Sequence, residues 1–135
     1  MRNCGQENPE QETRNNYRYI LAVPTRWMDN DVYQHVNNVI YYSYFDTVVN
    51  EYLIREGILD YENSKIIGLV VETCCRYHKP LKFPDIIDAA VRIPHIGSSS
   101  VRYEIALFCQ GQESPSATGY FIHVYVKRVG RKPVY

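Results

Sequence analysis

TRWMDNDVYQHVNN, residues 25–38, decides how this chain is read. Within ten of its residues stand two carboxylates (Asp29 and Asp31), an imidazole (His35) and two amides (Asn37 and Asn38). The run before it alternates like a strand. The run after it repeats like a helix. A strand-to-helix junction this rich in polar side chains is either a turn built to cap a helix or a site that does chemistry.

Upstream, Tyr17, Tyr19, Leu21 and Val23 share one side of an alternating run, with Arg18, Ile20, Ala22 and Pro24 on the other. Period-two alternation predicts a strand to about Trp27, and Pro24 predicts an edge position or a bulge near its end. Downstream comes VIYYSYFDTVVNEYLIREG. Its apolar positions Ile40, Tyr41, Tyr44, Phe45, Val48, Val49, Tyr52 and Leu53 form a wide helical stripe. Asn37 or Asn38 can cap its start, and Gly57 can close its end in the left-handed conformation. Its β-branched content means that burial, not propensity, must hold the helix.

Four further β-like runs follow, at about 66–78, 86–96, 99–109 and 117–129. Pro80, Pro84, Gly97, Gly111 and Pro115 punctuate them. Short connections predict antiparallel hairpins. The order β-α-β-β-β-β, one apolar helix against one antiparallel sheet, predicts an α+β architecture.

The chain has 135 residues, enough for one domain, read here as 17–135. Residues 1–16, MRNCGQENPEQETRNN, are polar and read as a disordered or loosely attached arm without the apolar core of a signal peptide. Lys+Arg and Asp+Glu both count 15, so no global field favours nucleic acid or an anionic membrane. No run approaches the roughly 18 apolar residues of a membrane span, so a cytoplasmic location is expected. The four cysteines, Cys4, Cys74, Cys75 and Cys109, match no zinc or redox spacing and read as small buried thiols. His78, His95 and His123 have no metal spacing between them, so no metal is expected.

In the plainest reading of residues 25–38, Asp29 and Asp31 stabilise turns and the two asparagines cap the helix. In the sharper one, the helix start offers unpaired N–H groups and partial positive charge to a developing oxyanion. A carboxylate a few residues upstream can then attack the same carbonyl or deprotonate a water aimed at it. That is the minimum apparatus for acyl transfer without a Ser or Cys nucleophile, and no GxSxG is present.

These residues carry a resemblance. D-x-D-x-x-x-H-V-N-N followed by a Tyr-rich helix resembles the signature of hotdog-fold acyl-CoA thioesterases of the 4-hydroxybenzoyl-CoA thioesterase type. CRYHKPLKFPDIID (residues 75–88), GSSSVRYEIAL (97–107) and ATGYFIHVYVKRVGRKPV (117–134) resemble later elements of that family, in the same order. The resemblance covers about residues 17–134. It implies a curled antiparallel sheet of about five strands wrapped round one central helix.

It also implies hydrolysis of an acyl-CoA or acyl-carrier-protein thioester to a free acid and a thiol. Asp31 would be the general base or nucleophile. The backbone N–H of Asn38 or Val39 would polarise the carbonyl. His35 and Asn37 would shape the turn and position water, His35 in the catalytic set and Asn37 in the substrate-binding set, and Asp29 matches a position more often structural. Tyr41 would line the acyl site. Ser98, Ser99, Ser100, Arg102 and Arg128, with Arg92, Lys127, Arg131 and Lys132 as further cations, would meet coenzyme A. Coenzyme A would be part of the substrate, and no separate cofactor is implied. The site would lie between subunits of a homodimer or homotetramer.

Two positions depart from the family. Gln34 stands where relatives usually carry Gly before the His, and Tyr120 where many carry His. Gln34 keeps open a non-catalytic acyl-binding protein on the same fold. A dehydratase or hydratase would need a differently placed acid–His pair, which this chain lacks. A purely structural module would leave Asp31 dispensable.

Overall fold

The computed structural model describes residues 13–57, 65–130 and 132–133, with His95 described in its backbone alone. Along the chain run β1 (Tyr19–Pro24), α1 (Asn38–Arg55), β2 (Ile66–Tyr77), β3 (Ile86–Ile96), β4 (Ser100–Cys109) and β5 (Ala117–Lys127). The strands form one antiparallel sheet in the order β1-β3-β4-β5-β2, curled round α1 as in the hotdog fold. Among the described residues no helix is long and apolar enough to cross a membrane.

β3, β4 and β5 are consecutive hairpins, as expected. β2 is not paired with β3. It lies at the far edge, against β5, with Ile66 opposite Lys127 and Tyr77 opposite Ala117. The connection from β2 to β3 passes the start of α1. There Leu81 is fully buried and its N–H donates to the Tyr41 hydroxyl at 3.2 Å. β1 is the other edge, where Pro24, paired with Ile86, can sit without breaking an inner ladder. The strand stops earlier than its alternation predicts. The Thr25 N–H turns aside to the Asp85 carbonyl (3.1 Å), and Trp27–Asp29 wind into a 3-10 turn.

The core follows the helical stripe. Tyr41, Tyr44, Phe45, Val48, Val49 and Leu53 are buried, meeting Val91, Tyr103, Ile105, Leu107, Ala117 and Phe121 of the sheet. Alternation selects these strand residues, because every second side chain faces the helix. Phe45 lies edge-on to Phe121, with centroids 5.9 Å apart. It also lies directly on the β5 backbone at Gly119. A Cβ at residue 119 would stand 2.5 Å from the Phe45 ring and 2.1 Å from the Cys74 carbonyl oxygen. Each fully buried side chain of this size contributes roughly 1.5–3 kcal/mol.

The opposite face of the sheet carries a smaller cluster of Tyr17, Ala90, Ala106 and Phe108. Here the expected boundary of the arm moves. Residues 1–12 lie outside the described residues, but Arg14–Asn16 form a 3-10 turn, and Arg14 is anchored. Its guanidinium covers the Phe108 ring at 4.8 Å and pairs with Asp88 at 2.6 Å.

Among the described residues, Cys74 departs from the expectation of free thiols. Cys74 is disulfide-bonded, whereas Cys75 and Cys109 are free and half-buried. Adjacent strand residues face opposite ways. Cys75 therefore packs against the core while Cys74 points away from it. Burial pushes the Cys75 thiol up to about 12, so it stays un-ionised and is no nucleophile.

Candidate active site

The two aspartates of the motif have opposite environments. Asp29 is fully buried. One of its oxygens accepts from the Tyr44 hydroxyl (2.6 Å) and the Arg26 N–H (2.9 Å), and the other accepts from the Arg26 guanidinium at 2.9 and 3.1 Å. Burial alone would raise its pKa, but these donors outweigh it and hold the carboxyl below the usual value. Its backbone carbonyl also accepts from the Asn37 N–H at 2.9 Å. Every oxygen of Asp29 is engaged in fixing the junction.

Residues 30–36 form a small hairpin closed by an antiparallel bridge between Asn30 and Val36. Inside it the Asp31 N–H donates to the His35 carbonyl (2.9 Å) and the Gln34 N–H to the Asp31 carbonyl (3.0 Å). Gln34 has φ of 66°, in the left-handed region that glycine occupies without cost. The turn here has a glycine-type conformation with a glutamine in it. The hairpin is stitched to the β2–β3 connection at both sides. The Val36 N–H donates to the Leu81 carbonyl (2.7 Å), and the Phe83 N–H to Asn30 Oδ1 (3.0 Å).

Asp31 is half-buried. Its Oδ1 accepts from the Tyr33 N–H at 2.8 Å, a local Asx turn that fixes the carboxylate. Among the described residues nothing bonds its Oδ2. The side chain opens onto a cleft of about 780 Å³ lined by Trp27, Met28, Asn30, Gln34, Lys82, Phe83 and Pro84. Lys82 supplies a cation to that cleft. Sequence reasoning passed it over because it looks for cations in strand ends and basic tails, not in a proline-rich connection.

α1 begins as the motif implies. Asn37 is its N-cap, with Oδ1 accepting from the Val39 N–H at 3.0 Å. That bond corrects one expectation, since the Val39 amide is already occupied by the cap. The Ile40 N–H is taken by the Asn37 carbonyl at 2.9 Å. The Asn38 N–H has no partner among the described residues and is the open donor at the positive end of the helix. It borders a second cleft, of about 260 Å³, lined by His35, Val36, Tyr41, Tyr77, His78, Lys79 and Pro80. Within one chain, then, Asp31 and Asn38 stand on the two sides of the same hairpin and face different clefts. Tyr41 reaches the second cleft, but its buried hydroxyl is occupied by Leu81.

The other expected substrate contacts are elsewhere. Ser98–Ser100 form the β3–β4 turn, at the end of the sheet remote from Pro24 and Ile86, which mark the Asp31 end. Eleven strand residues separate the two ends, roughly 35 Å. Arg128, exposed after β5, belongs to the same remote end, where its N–H donates to the Lys65 carbonyl at 2.7 Å. Lys127 and Lys132 are exposed there too, and Arg131 lies outside the described residues. Arg102 is committed on the outer face. It pairs with Glu104 at 2.9 Å, as Arg92 does, and lies 3.9 Å over the Tyr120 ring. Tyr120, on that outer face, is in neither cleft.

The comparisons with known proteins agree with the fold. The model of the thioesterase-like superfamily matches residues 23–135. The PA5185 protein of Pseudomonas aeruginosa PAO1 is 48% identical, with a TM-score of 0.88 over 90% of this chain and 85% of its own. A thioesterase from Thermus thermophilus, solved with coenzyme A and Zn, is 26% identical, with a TM-score of 0.73 over 87% of this chain and 90% of its own. The YsmA protein of Bacillus subtilis is 25% identical over 127 residues, 93% of this chain and 84% of its own.

Proposed function

This chain belongs to the thioesterase-like superfamily, and from that premise we propose that it hydrolyses an acyl-CoA thioester at Asp31. The observation that carries the reading is the contrast between the two aspartates. Asp29 has no free valence for chemistry. Asp31 is held by one oxygen and keeps the other open to a cleft between the hairpin and the β2–β3 connection.

As general base, Asp31 takes a proton from water as the water oxygen attacks the thioester carbonyl carbon. The oxyanion that forms is met by the Asn38 N–H and the helix dipole. Collapse breaks the C–S bond, and the proton on Asp31 passes to the leaving thiolate, giving acid and thiol. General-base catalysis supplies roughly 10²–10⁴-fold and one oxyanion donor roughly 10²–10³-fold. As nucleophile, Asp31 would form an anhydride that water then cleaves. His35 and Asn37 hold the hairpin and the cap. Coenzyme A is favoured over a carrier protein as the thiol by the relative solved with it, and Lys82 is a cation lining the same cleft as the reacting carboxylate.

The proposal includes a dimer. Asp31 and Asn38 of one chain face separate clefts, so a site that uses both is completed by a second copy. β2 is an open edge twelve residues long, with Val70 and Val71 at its middle 49% and 60% exposed. Trp27, Val32, Tyr33 and Val39 are also exposed around the hairpin, a patch that a second copy would cover. The remote Ser98–Ser100 turn and Arg128 would reach coenzyme A only from another subunit.

The test is free-thiol release from short, long and aromatic acyl-CoAs by wild type and Asp31→Asn. Asparagine still accepts from the Tyr33 N–H, so the fold should persist while turnover falls by about 10²-fold or more. Wild-type turnover in Asp31→Asn would sink the mechanism.

A further inference from the structure

His123 is buried and takes no part in the reaction, and neither of its ring nitrogens has a hydrogen-bond partner among the described residues. It projects from β5 toward α1, 4% exposed, enclosed by Tyr103 (centroids 5.0 Å apart), Phe121 (6.1 Å) and Tyr125 (6.2 Å). Burial lowers its pKa, with Asp46 pulling weakly the other way, so the ring is neutral and offers one donor and one acceptor. Native proteins rarely leave such a group unmet, so these nitrogens call for a partner from outside the chain.

The space for it is there. A cavity of about 80 Å³ lies beside the ring, lined by Asn50, Leu53, Ile66, Ile67, Gly68 and Tyr125. Gly68 keeps it open: a Cβ there would come within 3.0 Å of His123 Nδ1 and 3.1 Å of the Tyr125 ring. Asn50 gives its amide N–H₂ to Asp46, which turns its carbonyl oxygen to other uses. The lining is neutral and presents both a donor and acceptors. That suits a hydroxyl, which is both, and disfavours a carboxylate or ammonium, which would be buried without a counter-charge.

β2 relates this cavity to the site. Its first residues, Ile66 to Gly68, line the cavity, and its last, Tyr77, donates to the Asn38 carbonyl at 3.0 Å. A two-fold antiparallel pairing of β2 with a second copy about its midpoint sets the first end of each strand against the last end of the other. The cavity of one copy then adjoins the helix start of its mate.

We infer that His123, with Gly68 and Asn50, is the far end of the acyl site completed by a second copy, and selects acyl groups that carry a neutral hydroxyl there. This rests on the thioesterase reading, so the test has a readout that does not. The His123 ring nitrogens are followed by NMR while the full-length protein is titrated with phenol or with benzene. Phenol should move them and benzene should not. Gly68→Ala, which fills the space beside Nδ1, should abolish the distinction. In turnover, wild type should prefer ω-hydroxyoctanoyl-CoA to octanoyl-CoA, and His123→Phe should lower that preference about 10-fold. Ring nitrogens unmoved by phenol, as when the cavity holds water only, overturn the inference whatever the turnover. An unchanged hydroxyl preference in both variants also overturns it. Phenol-dependent shifts in a protein that cleaves no acyl-CoA would keep the hydroxyl pocket and remove the thioesterase reading.

Discussion

The Tyr44 hydroxyl, from the second turn of α1, donates at 2.6 Å to the buried carboxylate of Asp29, tying the helix to the junction that precedes it. Removing the donor leaves a buried acceptor short of a bond. Tyr44→Phe should cost about 1–3 kcal/mol in urea unfolding, with activity lost only as far as the fold is.

Asp29 also sets a pH dependence. Its carboxyl titrates lower in the folded chain than in the unfolded one. Its contribution is therefore complete above the unfolded carboxylate pKa of about 3.9 and is lost as pH falls through the folded value. Wild-type stability should drop below about pH 4. Asp29→Asn should be less stable at neutral pH and change less on acidification, as read from unfolding midpoints at several pH values.

Gln34 at φ 66° carries a conformational cost that glycine would not. Gln34→Gly should be as stable as wild type or slightly more so and should keep turnover, because the hairpin already has the conformation glycine prefers. Gln34→Val, β-branched in the left-handed region, should lose roughly 1–2 kcal/mol. A valine variant as stable as wild type would mean that the turn adopts another conformation in solution.

Asn37→Ala removes the bond to the Val39 N–H. It should cost about 0.5–2 kcal/mol, the usual range for an N-cap, and lower the helix signal in circular dichroism before the sheet signal on heating.

Much of the fold was legible in the sequence. The period-two runs and the helical stripe gave the elements, and Asn37 and Gly57 marked the ends of α1 correctly, Gly57 with φ of 72°. The order of strands in the sheet was not legible, because an alternating run says which face is buried and not which neighbour pairs with it. Nothing in the pattern marks β2, next to β3 along the chain, for the far edge where it lies. Of the site, Asp31 and the helix start were readable because their chemistry is local. Where the Ser98–Ser100 turn and Arg102 lie was not readable, since a hydroxyl or guanidinium in the sequence does not reveal which end or face of the sheet it occupies. Lys82, His123 and Gly68 carried no local pattern; only the tertiary fold brings the first to Asp31 and the other two together.

Gly119→Ala tests how closely the helix rides on the sheet. One of the two contacts its methyl would meet is a backbone carbonyl, 2.1 Å away, which cannot swing aside. The variant should lose about 1–3 kcal/mol or more, seen as a large fall in Tm. A neutral result would mean that Phe45 does not ride on the β5 backbone.

The hairpin that presents Asp31 draws its bonds from the segment at Leu81–Phe83, as many as 53 residues away along the chain. Residues 25–38 are therefore half of a device. Grafted onto another scaffold alone, they would bring the carboxylate without the brace that aims it. In descendants of this chain, changes on either segment should be inherited in matched pairs, so that the two stretches drift as one unit although the ribosome makes them far apart.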